Sequence, residues 1–173
     1  MAKLNVLINE EQLEKRVQEI ANQIMEDYKG KDLVFVSVLK GAMFFTIDVA
    51  RKISNNIHLE LMKVSSYGEK TTSDGKINLE LDIQDNIEGK DVIVIDDILD
   101  TGHTLSYILK HLKEKKPNSI KLCVLLDKAE RREVNIKADY IGFEIPNKFV
   151  IGYGLDYNEH YRTLPYVGYL TDV

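Results

Sequence analysis

The chain has 173 residues, 44% hydrophobic and 29% charged, with a formal net charge of -5 and a pI of about 5.4. That length and composition fit one globular domain with a core of its own, and no internal repeat or low-complexity linker divides residues 1–173. The acidic balance argues against broad nucleic-acid binding, which needs a basic face, but leaves room for phosphate ligands held by backbone N–H groups and a metal ion.

In chain order, Asn9-Glu10-Glu11-Gln12 reads as a helix start with Asn9 as cap and Gln12 as its reciprocal partner. Leu13, Val17, Ile20 and Ile24 follow at helical spacing, and Gly30 is a natural stop. Leu33 to Leu39 predicts a buried strand, Gly41 to Ile53 a second helix, and Leu59 to Val64 another strand. Ser65 to Lys76 holds almost no apolar residues and is expected to be a mobile loop. Ile77, Leu79, Leu81 and Ile83 alternate with polar residues, so the chain returns as a strand.

Asp91 to Ile95 is a continuous Val/Ile-rich run, as buried parallel strands tend to be. A polar turn follows, then Leu105, Ile108, Leu109 and Leu112 on one helical face, ended by Pro117 and Asn118. Ile120 to Leu126 and Tyr140 to Phe143 predict the next strands. Strands alternating with helices imply an α/β fold: a central parallel sheet flanked by helices, with ligands bound beyond the carboxyl ends of the strands.

The lone cysteine, Cys123, lies inside the Ile120–Leu126 run. It permits no intrachain disulfide and no thiolate metal site, and reads as a core residue of a cytoplasmic protein. The first residues lack the apolar stretch of a signal peptide, and no run approaches a membrane span.

The segment Val92-Ile93-Val94-Ile95-Asp96-Asp97-Ile98-Leu99-Asp100-Thr101-Gly102-His103-Thr104-Leu105 carries the most chemistry. An apolar strand runs into two adjacent carboxylates, an oxygen-rich site suited to hydroxyls or hydrated magnesium. Asp100 to Thr104 then forms a tight turn at a helix N-terminus, where N–H groups and threonine hydroxyls can cradle a phosphate.

This segment resembles the signature of type I phosphoribosyltransferases, which bind phosphoribosyl pyrophosphate (PRPP). The resemblance implies that Asp96 and Asp97 hold the ribose 2′ and 3′ hydroxyls. It gives the 5′-phosphate to Thr101, Gly102, the His103 backbone and Thr104. In the purine branch the aspartate opening the turn, here Asp100, is the general base at N7 of the purine. That branch often carries Glu-Asp where this chain has Asp96-Asp97.

Further segments resemble the hypoxanthine-guanine branch in the same order. Lys40-Gly41 matches its pyrophosphate loop, in which a peptide is often cis. Ser66-Tyr67 matches the start of a loop that closes over the site, and Lys128 the lysine that donates to the purine 6-oxo group. Gly142 to Tyr157 resembles the purine-binding hood: Phe149 stacks on the base, the Val150 backbone meets its edge, and Asp156 helps Asp96 and Asp97 with the metal. By the same resemblance Arg162 is expected to pair with pyrophosphate.

The resemblance implies a magnesium-dependent transfer from PRPP to hypoxanthine or guanine, a hood built from the terminal segments, and a homo-oligomer. It implies small-molecule partners, with neither nucleic acid nor membrane. His58, His111 and His160 read as structural or surface residues without metal-ligand spacing, and the His103 side chain as pointing away from the turn. Two other classes share features with the sequence. A nucleotide-sensing RNA-binding regulator of the same fold would need a basic stripe, and a phosphoacceptor receiver domain would leave Thr101-Gly102 and Phe149 without a role.

Overall fold

The computed structural model describes residues 3–66 and 76–171. The elements are β1 (Lys3–Ile8), α1 (Glu10–Asp27), β2 (Leu33–Val38), α2 (Met43–Arg51), β3 (Ile57–Ser66), β4 (Ile77–Leu81), β5 (Asp91–Leu99), α3 (His103–Lys113), β6 (Ser119–Asp127), β7 (Tyr140–Glu144), β8 (Val150–Ile151) and β9 (Val167–Thr171). Most of the expected mobile loop, Tyr67 included, lies outside the described residues.

A six-stranded sheet has the order β4-β3-β2-β5-β6-β7. Its strands are parallel except β4, which returns antiparallel along β3. Alternation along the strands separates two apolar layers. Phe35, Ile93, Ile95, Cys123 and Leu125 face one side, under Leu13, Val17, Ile20 and Ile24 of α1 and Phe45 and Val49 of α2. Val34, Val36, Val92, Val94, Leu122 and Val124 face the other, under Leu105, Ile108 and Leu112 of α3. Every residue of β2 is buried, as a central strand covered on both faces requires.

Local chemistry sets the element ends. The Asn9 side chain accepts from Gln12 N at 2.8 Å, and the Gln12 side chain accepts from Asn9 N at 2.9 Å, closing the expected capping box. Behind β2, Thr46 Oγ1 donates to the Ala42 carbonyl at 2.8 Å, which leaves Ser37 Oγ as donor to Thr46 across 2.8 Å. Two buried hydroxyls are thus satisfied beneath α2, where an unmade bond would cost about 1–3 kcal/mol.

The terminal segments form a second, antiparallel sheet of order β1-β9-β8. Ile8, Val150 and Val167 belong to the same buried cluster as Phe35 and Phe45, so this hood sits on the main core. The sequence offers a hood but not its strands: β1 buries only Ile8, and its partner β9 lies at the other end of the chain. A second difference concerns the acidic pair. Asp96 and Asp97 lie within β5, not beyond it, because pairing with β6 continues from Asp96 opposite Val124 to Leu99 opposite Asp127. Among the described residues no helix is long and apolar enough to cross a membrane.

Candidate active site

The carboxyl ends of β2, β5 and β6 converge with the hood segment on one region, and β5 supplies its centre. Asp97 N donates to Asp96 Oδ1 at 2.8 Å. Both carboxyls titrate above the usual carboxylate range. Burial is the main cause for each, and the neighbouring Asp97 charge adds to it at Asp96. The Arg162 guanidinium offsets part of the rise at Asp97. Two crowded carboxyls that resist ionising are a donor set that fits a cation or a pair of hydroxyls.

Past Leu99 the chain turns sharply into α3. Gly102 is the N-cap with φ +93, and no side chain caps the helix. A Cβ on Gly102 would also meet Ile136 at 2.5 Å and Val134 at 2.8 Å, so both backbone sign and space select glycine. The uncapped N–H groups and the dipole of an 11-residue helix face a cavity of about 230 Å³ lined by Asp96, Asp97, Asp100, Thr101, Gly102 and Thr104. His103 turns its ring outward onto Glu133, with Nε2 2.6 Å from Oε2, as expected.

The loop after β2 abuts the acid pair, and its cis peptide falls at Leu39–Lys40. A Cβ on Gly154, which has φ +104, would meet the Gly41 carbonyl at 2.1 Å, so the hood segment lies directly on this loop. Lys40 Nζ pairs with Glu159 at 3.0 Å. Arg162 reaches Asp156 at 3.2 Å and Glu159 at 3.5 Å, and donates from Nη1 to the Gly154 carbonyl at 2.5 Å. The contact with Lys40 holds the Glu159 carboxyl below its usual range.

Lys128 directly follows β6 and is 7% exposed, and its N–H donates to the Leu99 carbonyl at 2.9 Å. Phe149 is 60% exposed and touches Tyr157 edge-on, with ring centroids 5.7 Å apart. A phenyl this exposed offers a ring face on which a planar group can stack. Val150 is buried, and β8 is an edge strand of the small sheet. Ser66 ends β3, next to the strand that leads to Lys40, while Tyr67 lies outside the described residues.

Asp96, Asp97 and Asp156 do not present three oxygens within one ion's reach. Among the described residues that arrangement occurs at His58, Glu60 and Asp85, near the amino end of β3. There His58 Nε2 lies 2.5 Å from Asp85 and 3.2 Å from Glu60, bridging the two carboxylates. Sequence spacing did not announce this group, because Asp85 comes from a different turn.

The model of the phosphoribosyl transferase domain matches residues 6–158. The chain belongs to the phosphoribosyltransferase family. It is 46% identical to a hypoxanthine-guanine phosphoribosyltransferase of Aquifex aeolicus over 171 residues, covering 98% of this chain and 96% of that protein. It matches the crystal structure of a hypoxanthine-guanine phosphoribosyltransferase from Bacillus anthracis with a TM-score of 0.93 at 45% identity, covering 96% and 98% of the two chains. It is also 46% identical over 165 residues to a bifunctional TilS/HprT protein of Listeria monocytogenes, 95% of this chain but 26% of that longer protein.

Against the family pattern, this phosphoribosyltransferase shows contacts that sequence reasoning missed. Arg131 and Arg132, assigned no role from the sequence, reach Asp100 and Asp127. Glu159, unremarked in the sequence, bridges Lys40 and Arg162. Only distance in the fold reveals these pairings.

Proposed function

We propose that the chain is a hypoxanthine-guanine phosphoribosyltransferase of purine salvage, which joins PRPP to N9 of a 6-oxopurine and releases pyrophosphate. One observation carries this reading: Gly41 is in close contact with Asp97 and, through its carbonyl, with Gly154. The loop expected to grip pyrophosphate therefore touches both the acids expected to hold ribose and the hood expected to cover the purine.

In this reading Asp96 and Asp97 accept from the ribose hydroxyls, and Asp156, beside Arg162, would hold magnesium apart from that pair rather than closing a three-carboxylate cage with it. The metal's contribution when bound is to neutralise charge on pyrophosphate oxygens. The backbone and hydroxyls of Thr101, Gly102, His103 and Thr104 hold the 5′-phosphate. Lys40, Gly41 and Arg162 hold pyrophosphate, for which Lys40 and Arg162 must exchange their contact with Glu159. Phe149 stacks on the base, the Val150 backbone meets its edge, and Lys128 donates to O6, favouring 6-oxopurines over adenine, whose 6-amino group is itself a donor.

The C1′–O bond breaks with its electron pair leaving on pyrophosphate. N9 bonds to C1′, and the N7 proton passes to the Asp100 carboxylate. The role expected of Ser66 and Tyr67, keeping water from the cation-like ribose, falls on a segment that lies largely outside the described residues. We assign the chain to the cytoplasm. We also assign it a homo-oligomeric state, on the family resemblance alone.

The test is nucleotide formation from PRPP and hypoxanthine or guanine, with and without magnesium. The reading expects IMP or GMP and pyrophosphate in equal amounts, lost on chelation. No product with either base contradicts it. D100N should lower turnover far more than PRPP affinity, and equal losses in both would remove Asp100 as base.

A further inference from the structure

After β6 the chain makes a single 3-10 turn, Ala129–Arg131, and folds back onto the turn that opens α3. Glu133 N donates to the Thr101 carbonyl at 3.0 Å. Arg132 Nη1 donates to the Asp100 carbonyl at 3.1 Å, and Nη2 pairs with Asp127. These bonds fix the backbone. Arg131 does something different: its Nε donates at 2.9 Å to Oδ1 of the Asp100 side chain.

From this geometry we infer that Arg131 is a positioning residue for the reaction, orienting the Asp100 carboxylate toward the purine. The inference rests on the function proposed above. With Oδ1 held by the guanidinium, the rotation of the carboxylate is fixed and Oδ2 is the oxygen presented to the N7 proton. A guanidinium keeps its own proton throughout, so it cannot compete for the one transferred. Arg131 also stands three residues after Lys128, so one short turn carries both the group that reads O6 and the group that aims the base.

Magnitudes separate this role from a stabilising one. The side chains of Arg131 and Asp100 are 45% and 39% exposed, and an ion pair in water adds little to stability. Misplacing a reacting group by about 1 Å can cost about a hundredfold in rate. Loss of the pair should therefore register in turnover and scarcely in folding.

The test is a double-mutant cycle: R131Q and R131K, each made in the wild type and in D100N, with kcat, PRPP affinity and Tm measured. R131Q should lower kcat about tenfold, leaving PRPP affinity and Tm near wild type. R131K should recover part of the loss, since it keeps the charge but not the planar fork. In D100N, R131Q should add no further loss, because the two act as one unit. If R131Q destabilises the protein, R131K against the same D100N background decides the matter alone. Wild-type turnover by R131Q, or the same fractional loss with and without Asp100, overturns the role. A wild-type chain that forms no nucleotide overturns the proposed function and this inference with it. An active wild type with an unaffected R131Q overturns this inference alone.

Discussion

A Cβ on Gly41 would stand 1.7 Å from Asp97 Oδ2, so the loop after β2 touches the acid pair through bare backbone. Alanine at Gly41 must push the Asp97 carboxylate aside or lift the loop. G41A should cost about 1–3 kcal/mol of stability, the usual penalty of overpacking. PRPP affinity should drop at least about tenfold, as a misplaced carboxylate loses its hydrogen bonds. Calorimetric titration with PRPP and a denaturant melt measure the two effects. An alanine variant with unchanged affinity would separate Gly41 from the site.

Asp96 gives a pH-dependent prediction. Its folded pKa lies above its ordinary 3.8, so the folded state binds more protons than the unfolded one as pH rises from there. Its contribution to stability is therefore lost with rising pH. D96N removes that cost, and near neutral pH the ligand-free variant should melt higher, by about 2–4 °C for each kcal/mol gained. The same change should weaken PRPP binding. A lower Tm across the neutral range would contradict the account of this pair.

Phe149 is exposed, and its ring meets that of Tyr157 edge-on. Base–aromatic stacking contributes about 1–3 kcal/mol per base. F149A should raise the KM for the purine by about fivefold to a hundredfold, leave PRPP affinity alone and leave Tm within a degree or so of wild type. A KM that does not move would place the base elsewhere.

The Cys123 thiol is fully buried in β6, and burial pushes its pKa far above the ordinary thiol range. It should resist an aromatic disulfide reagent in the native protein and react at once in denaturant. Rapid labelling of the native protein would contradict the packing around β6.

The central sheet and the phosphate turn were legible because each is written in contiguous residues. The Leu33–Val38 and Val92–Ile95 runs are buried from end to end, and Asp100 to Thr104 carries its own turn chemistry. The hood strands were not legible. Lys3–Ile8 buries a single residue and depends on Val167–Thr171 for its hydrogen bonds, a pairing no local pattern encodes. The end of β5 was placed too early because two charges look like a strand stop, whereas backbone pairing with β6 carries the strand through them. The partners of Asp100 and Lys40 escaped for the same reason. Arg131 and Glu159 lie 31 and 119 residues away from them, and charged residues in sequence look alike whether or not they meet.

The most direct test of the central claim is steady-state turnover with PRPP and magnesium, offering hypoxanthine, guanine, xanthine and adenine separately. The account predicts rapid nucleotide formation with hypoxanthine or guanine and none with adenine, which cannot accept from Lys128 through its 6-amino group. Turnover of adenine at a comparable rate, or none with any base despite clear PRPP binding, would contradict it.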